Sequence, residues 1–395
     1  MSDAAPARAF PPIRIAVAGL LALVAAMGIG RFAFTPLLPL MQQDTGLTLV
    51  AGSWLASANY LGYIVGALTA AWLPGDPTRW IRGGLAATAV LTAGMGLTHE
   101  PAAWFALRAL SGVATAWVLV CASAWALRRF AEAGQPQLGG VLFTGVGAGV
   151  ACTGVLAALG LAAGVTSSGL WLAYGALAAI IAGGIWPAFV AQRTTGATPI
   201  TAARRSRMRP AVMVLIGAYG VFGFGYIIPA TFLPVIARDA LGATAVTDWF
   251  WPAFGAAAVA STLLANRLTA RCGNSAVLVA SFLLEGVGVA LLVPAPGVAA
   301  IALSALLVGG TFVVITMATL RAARELTGAD SSRLIGILTA AFGIGQIAGP
   351  LAAGYVVHAH GSFMPVLVVA AAAMLASAGA LCFVLRSVAT QPPAI

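Results

Sequence analysis

Long apolar segments constrain this chain more than any other feature. A helix that crosses a bilayer needs about 20 mostly apolar residues, and the sequence contains twelve such segments, each separated from the next by a short polar or glycine- and proline-containing stretch. They predict an all-α membrane protein with 12 transmembrane helices. Their approximate limits are 13–40, 49–73, 81–98, 102–127, 138–163, 169–190, 211–236, 246–265, 275–293, 298–320, 334–357 and 363–385.

The charges agree with a lipid environment and indicate an orientation. Only 8% of residues are charged, whereas a soluble domain carries about 25%. Every basic residue is an arginine, and if the N-terminus lies inside, all except Arg31, Arg108 and Arg238 fall in cytoplasmic segments. This positive-inside pattern predicts a bacterial inner-membrane protein with both termini cytoplasmic. It also accounts for the net charge of +10 without a nucleic-acid partner.

A repeated stretch divides the chain into two related halves. GIGRFAFTPLLPLM, starting at Gly28, is matched 195 residues later by GFGYIIPATFLPVI, in which Tyr226 takes the place of Arg31. Glycines of segments five and eleven also share their spacing. We therefore predict two pseudo-symmetric six-helix bundles, 1–190 and 211–395, joined by a cytoplasmic linker at 191–210. Parallel repeats of this kind are typical of one large class of secondary transporters.

Three motifs resemble the major facilitator superfamily. Arg108 and Gly112, in LRALSGVATAW, look like its R-x-x-x-G signature of span four, and GQIAGPLAAG, starting at Gly345, is similar to its Gly-Pro motif. The loop signature after span two is degenerate and keeps Asp76, while its counterpart has Asn266 where an aspartate is usual. The first repeat together with SWLASANYLGYIVGAL looks like the YbfB/YjiJ-type branch. The resemblance implies alternating access, with spans 1, 4, 7 and 10 lining a central cavity.

Two arginines lie within these cavity-lining spans. Arg31 and Arg108 each cost roughly 2.5–3.5 kcal/mol at mid-membrane on the insertion scale, and spans 1, 4, 7 and 10 contain no acid. An anionic substrate would supply the counter-charge, because the arginine fork fits a carboxylate. Two other interpretations stay open. Arg31 could bond carbonyls freed by Pro36 and Pro39 or extend outward, and Arg108 could serve helix packing or proton coupling.

The other polar residues in the spans give weaker signals. Glu285 is the acid that lies well inside a span, and it is the candidate for proton coupling; otherwise it is a protonated or hydrogen-bonded structural residue. Further substrate-binding candidates are Asn59, Tyr60, Tyr63, Tyr226 and Gln346, whose alternative role is hydrogen bonding between helices. A third group of residues is predicted to serve helix packing and gating: Gly112, Gly145, Gly149, Gly154, Gly345, Gly349, Pro350 and Gly354.

The sequence therefore predicts a secondary active transporter that works by alternating access. Its substrate is a small organic anion or amphipathic metabolite, and protons are a candidate coupling ion. One alternative is a multidrug-type exporter of lipophilic compounds, in which Arg31 serves the gate. An alternative of another class is a membrane sensor or scaffold that transports nothing. We expect no enzymatic activity, no cofactor and no metal site. We also expect the protein to be a monomer in the lipid bilayer.

Overall fold

The computed structural model describes residues 11–70, 72–135, 137–189, 210–293, 296–327 and 331–389. Within these ranges every regular element is helical. The predicted linker at 191–210 lies, apart from Pro210, outside the described residues.

Twelve helical segments follow one another along the described chain. The first, α1, is nearly continuous and contains a π-helical stretch at Val24–Phe32. The segments are α1 Pro12–Thr45, α2 Leu49–Ala70, α3 Pro77–Leu97, α4 Pro101–Glu132, α5 Leu138–Ala162, α6 Ser167–Ile185, α7 Pro210–Leu241, α8 Phe250–Cys272, α9 Asn274–Ala290, α10 Val298–Thr327, α11 Ser331–His360 and α12 Met364–Ala389. Short 3₁₀ turns at Trp186–Ala188 and Thr247–Trp249 follow α6 and precede α8.

The lengths and compositions of these helices suit a membrane. Eight of the described helices are long and apolar enough to cross one, and α9 forms a shorter apolar helix of 17 residues. The twelve predicted segments correspond to the twelve helices. The largest differences are at the C-terminal ends of α8 and α10, which continue beyond the predicted limits of 265 and 320 to Cys272 and Thr327.

Local sequence signals set several helix ends. At the start of α3, Asp76 accepts a hydrogen bond from the Thr78 backbone N–H at 2.9 Å, and Pro77 occupies the first helical position. Both features are favoured at a helix N-terminus because the first N–H groups lack partners within the helix. Gly46 ends α1 with φ of +69°, a left-handed conformation that glycine adopts without steric cost.

The helix contacts of the first half repeat in the second half when six is added to each helix number. Helix α1 packs on α5 as α7 packs on α11, α2 on α4 as α8 on α10, and α3 on α6 as α9 on α12. The main contacts between the halves, α2 with α11 and α5 with α8, are also exchanged by this shift. The fold therefore has the internal pseudo-symmetry that the repeated stretch indicates.

The predicted packing glycines lie at these helix contacts. A side chain on Gly145 or Gly149 would overlap the backbone of α1, and one on Gly345 or Gly349 would overlap atoms of α7. Gly112 faces a backbone carbonyl of α2. The two remaining glycines face the opposite half of the molecule, Gly154 against Pro252 of α8 and Gly354 against Ser53 of α2; Pro350 lies inside α11.

Hydrogen bonds also join the halves near the predicted outer end, where α1 packs on α7. The Thr35 hydroxyl donates to the Ala230 carbonyl at 2.7 Å. That carbonyl has no regular helical partner, because the residue four positions later is Pro234, which lacks an N–H. Nearby, the hydroxyls of Tyr60 and Thr231 lie 3.0 Å apart. The two halves are thus hydrogen-bonded to each other across this closed end.

Candidate functional site

The site is built on the π-helical stretch of α1. A π-helix pairs each carbonyl with the N–H five residues later, and for the Arg31 carbonyl that residue is Pro36, which has no N–H. Arg108 of α4 supplies the missing donors, since its Nη2 lies 3.2 Å from the Arg31 carbonyl and its Nη1 lies 3.3 Å from the Gly30 carbonyl. The Ser111 hydroxyl donates to the Gly30 carbonyl at 3.0 Å. Helix α4 therefore fixes the backbone that carries Arg31.

The Arg31 side chain is buried, with 3% of its surface exposed, and it points among aromatic rings of the N-terminal half. Its guanidinium carbon lies 4.2 Å from the Tyr63 ring centre, 5.0 Å from that of Tyr60 and 5.4 Å from that of Phe32. Contacts of this length are cation–π interactions, and they strengthen when water is excluded. The arginine is held in place by rings and does not extend outward.

Part of the Arg31 guanidinium has no hydrogen-bond acceptor. Its Nε and Nη2 atoms are both buried and unpartnered, and no carboxylate in the described part of the chain forms an ion pair with it. Nε–H and one Nη2–H lie side by side along one edge of the planar group, which is an edge that binds a carboxylate through two parallel hydrogen bonds. The site therefore presents a preformed anion-binding fork.

The C-terminal half contributes a stack of aromatic rings. Tyr219, Phe222 and Tyr226 lie on one face of α7, at i, i+3 and i+7. The Phe342 ring of α11 lies 4.8 Å from Tyr219 and 5.7 Å from Tyr226, with interplanar angles of 14° and 6°. Phe312 of α10 lies 5.9 Å from Tyr226 and is nearly parallel to it.

This stack meets the arginine side of the site across the interface between the halves. The Phe32 ring, adjacent to Arg31 in sequence, lies 6.2 Å from the Phe312 ring. The Tyr226 phenol is within electrostatic range of the Arg31 guanidinium. Gln346 of α11 donates a hydrogen bond to the Tyr226 hydroxyl, and its own carbonyl oxygen is buried without a donor. Each half thus holds buried polar atoms without a partner: Nε and Nη2 of Arg31 on one side, and the Gln346 carbonyl oxygen on the other.

Asn59 lies behind this site. Its side-chain amide donates to the Arg108 carbonyl at 3.0 Å, and it is fully buried between α2 and α4. Gly112 lets the two helices approach, because a side chain there would overlap the Asn59 carbonyl. Asn59 and Arg108 are therefore engaged with backbone groups in this conformation.

Glu285 occupies a different position, in the C-terminal half between α9 and α10. It is completely buried, and its Oε2 is hydrogen-bonded to the Thr311 hydroxyl, while Oε1 has no partner. The Thr311 hydroxyl also lies 2.7 Å from the Leu307 carbonyl. Thr311 immediately precedes Phe312, so the Glu285 carboxyl group is bonded to the helix that also carries a ring of the aromatic stack.

The structure thus gathers five of the predicted substrate-binding residues into one region: Arg31, Tyr60, Tyr63, Tyr226 and Gln346. Sequence reasoning missed Tyr219, Phe312 and Phe342 in this region, and Thr311 beside Glu285. The helical spacing of Tyr219 with Tyr226 was an available signal. No such signal marks the phenylalanines, because an aromatic residue in an apolar helix has no contrast with its surroundings.

Comparisons with known proteins agree with this architecture. The model of the family described as "Uncharacterised MFS-type transporter YbfB" matches residues 23–382. Among solved structures, the chain is similar to the crystal structure of a point mutant of the nucleoside transporter NupG, with a TM-score of 0.68, 14% identity, and coverage of 94% of this chain and 99% of that chain. At this identity the likeness shows the fold alone. No curated protein sequence matches the chain. Because the family model covers most of the sequence, the chain belongs to this family of MFS-type transporters, and with it to the secondary transporters of the major facilitator superfamily.

Proposed function

We propose that the protein carries a small organic anion across the bacterial inner membrane by alternating access, and that Arg31 binds the anionic group of the substrate. The observation that carries this proposal is the buried edge of Arg31, where Nε and Nη2 have no acceptor. A buried donor without a partner costs about 1–3 kcal/mol, and more when the group is charged. A carboxylate that accepts both hydrogen bonds removes this cost and neutralises the charge.

Arg108 has a different task in this proposal. Its Nη1 and Nη2 groups already donate to the Gly30 and Arg31 carbonyls, so it holds the π-helical stretch and thereby aims Arg31. It contacts substrate only if it exchanges these bonds. Asn59, which donates to the Arg108 carbonyl, supports the same arrangement one helix further away.

The test of the anion proposal is ligand-induced thermal stabilisation of the purified protein. A ligand that binds the folded protein stabilises it by about 2.7 kcal/mol at a hundredfold excess over its dissociation constant. Small carboxylates should raise the melting temperature of the wild type but not that of Arg31→Gln. The matched control is Arg267→Gln, which removes an exposed arginine and should leave stabilisation intact.

The same panel includes compounds that would contradict the proposal. Nucleosides belong in it because the structurally similar NupG is described as a nucleoside transporter, and lipophilic cations test the multidrug alternative. If only neutral or cationic compounds stabilise the protein, and Arg31→Gln responds as the wild type does, the anion proposal is wrong and Arg31 serves the gate.

We further propose that Glu285 takes part in proton coupling. A threonine hydroxyl has one hydrogen, and the Thr311 oxygen lies within bonding distance of both the Leu307 carbonyl and Glu285 Oε2. A proton on Glu285 lets both hydrogen bonds form, with Thr311 donating to Leu307 and accepting from Glu285. Loss of that proton leaves a buried charge, which a change in the packing of α9 against α10 would have to relieve.

The test is uptake into proteoliposomes driven by a pH gradient. Glu285→Gln keeps the shape of the neutral carboxyl group, so the protein should fold and exchange substrate across the membrane without a gradient. Gradient-driven accumulation should fall to the level of exchange. Glu100→Gln, at an exposed acid before α4, is the control. Full accumulation by Glu285→Gln would show that this carboxyl group does not couple transport to protons.

A further inference from the structure

We propose that the anion carries a planar aromatic ring, so that the substrates of this transporter are arylcarboxylates. This inference rests on the proposed binding of an anion at Arg31 and adds the chemistry of the rest of the molecule. It follows from which side chains surround the unpartnered edge of Arg31 and from which of them keep exposed surface.

On the arginine side, Arg31 packs against the Tyr63 ring. The guanidinium of Arg31 lies 4.2 Å from the centre of the Tyr63 ring, and Tyr63 is only partly buried. A carboxylate bound by Nε–H and Nη2–H lies along the edge of the guanidinium group, since those hydrogens lie in its plane. The group attached to the carboxylate then extends beside the Tyr63 ring.

On the opposite side, the C-terminal half contributes the Phe342 ring. Phe342 of α11 is also partly buried, and it stacks with Tyr219 and Tyr226, which are both buried. Its helix lies against the helix of Tyr63, because a side chain on Gly343 would overlap Ile64. Tyr219, which stacks on Phe342, lies within electrostatic range of both Tyr63 and Arg31, so the rings of the two halves lie near each other.

Rings on both sides favour an aromatic group on the substrate. Aromatic rings gain from offset stacking or edge-to-face contact with another ring, beyond the burial of apolar area. A planar ring of the substrate can make such a contact with Tyr63 or Phe342, the two rings that keep exposed surface. A saturated ring of the same size buries similar area but lacks this interaction, and a short aliphatic acid reaches neither wall.

The experiment compares three acids with a matched series of variants. Dissociation constants for phenylacetate, cyclohexylacetate and acetate are measured on the full-length purified protein by isothermal titration calorimetry. We expect phenylacetate to bind roughly 3-fold to 10-fold more tightly than cyclohexylacetate in the wild type. Phe342→Leu should remove the preference, and Phe342→Tyr, which keeps a ring, should retain it. Phe383→Leu, at an exposed ring of α12, is the control.

The outcomes separate this inference from the proposed function. Equal binding of phenylacetate and cyclohexylacetate, abolished for both by Arg31→Gln, would overturn the aromatic inference and leave the anion proposal standing. Binding that survives Arg31→Gln, or no binding of any acid, would overturn both. A preference for phenylacetate that Phe342→Leu leaves unchanged would show that the ring is recognised elsewhere and would contradict the site.

Discussion

Replacing Thr35 by valine should open the end of the molecule where α1 packs on α7. The substitution keeps the shape of the side chain and removes the hydroxyl that donates to the Ala230 carbonyl. Ala230 is fully buried, and Pro234 cannot supply the helical N–H that would otherwise occupy this oxygen. The closed state of the variant therefore contains a buried carbonyl without a partner.

The unpaired Ala230 carbonyl sets the size of the shift from closed to open molecules. An unpaired buried acceptor costs about 1–3 kcal/mol. When the ends of α1 and α7 separate, water reaches the carbonyl in both proteins, so the cost applies to the closed state alone. At about 1.4 kcal/mol per factor of ten, the ratio of open to closed molecules should rise roughly 5-fold to 150-fold.

The measurement uses a cysteine that is protected only in the closed state. Leu40 is buried with 3% exposure and lies near Pro234 and Arg238 of α7. In a background without the four native cysteines, the rate at which a water-soluble maleimide modifies Leu40→Cys is proportional to the open population when closing is fast. Such a rate responds even if open molecules are rare.

A second buried threonine provides the matched control. Thr262 is 1% exposed, and its hydroxyl donates to the Ala258 carbonyl within its own helix at 2.7 Å. Thr262→Val removes a buried hydroxyl without freeing a carbonyl between the halves. If Thr35→Val accelerates modification less than 2-fold, or if Thr262→Val accelerates it equally, then the Thr35 bond does not hold this end closed.

Three further predictions test other parts of the structure. Gly112→Ala should lower the melting temperature by several degrees, because overpacking of this kind costs about 1–3 kcal/mol, whereas Gly217→Ala, which faces open space, should not lower it. Arg108→Lys keeps the charge but offers no fork, so it should raise the KM for carboxylates several-fold in uptake assays. Asp44→Ala removes the acceptor of the Ser167 N–H at 2.6 Å. It should lower the free energy of unfolding by about 1 kcal/mol, which lowers the melting temperature slightly, and it should leave transport rates unchanged.

The fold could be predicted from the sequence because a long apolar segment marks each helix. Twelve apolar segments determine the helices, and their limits were displaced most at the C-terminal ends of α8 and α10, which continue to Cys272 and Thr327. The family was likewise predicted from the motif of Arg108 and Gly112 and from the glycine-proline motif of α11, and it is confirmed by the family model. The division into residues 1–190 and 211–395 stays a prediction.

The site was harder to predict because its geometry depends on backbone groups that a sequence does not display. Arg31 and Arg108 have the same side chain and both lie in apolar helices, so composition treats them alike. The structure separates them, since Arg108 donates to carbonyls of the π-helical stretch while Nε and Nη2 of Arg31 have no acceptor. The sequence shows Pro36, which lacks an N–H and therefore frees a backbone carbonyl. It gave no indication that Arg108 would donate a hydrogen bond to that carbonyl.

The internal repeat explains why the differences between the halves carry more functional information than their similarities. Positions that the repeat preserves, such as Gly149 and Gly349, lie at equivalent helix contacts. They allow the close helix packing that both halves need. Arg31 and Tyr226 also occupy equivalent positions, yet one is a cation with free donors and the other is a phenol bound by Gln346. The two halves share a backbone arrangement but present different side chains to a substrate, an arginine from the N-terminal half and a stack of aromatic rings from the C-terminal half. The proposed arylcarboxylate therefore binds in one orientation, with its anionic end toward the N-terminal half and its ring toward the C-terminal half.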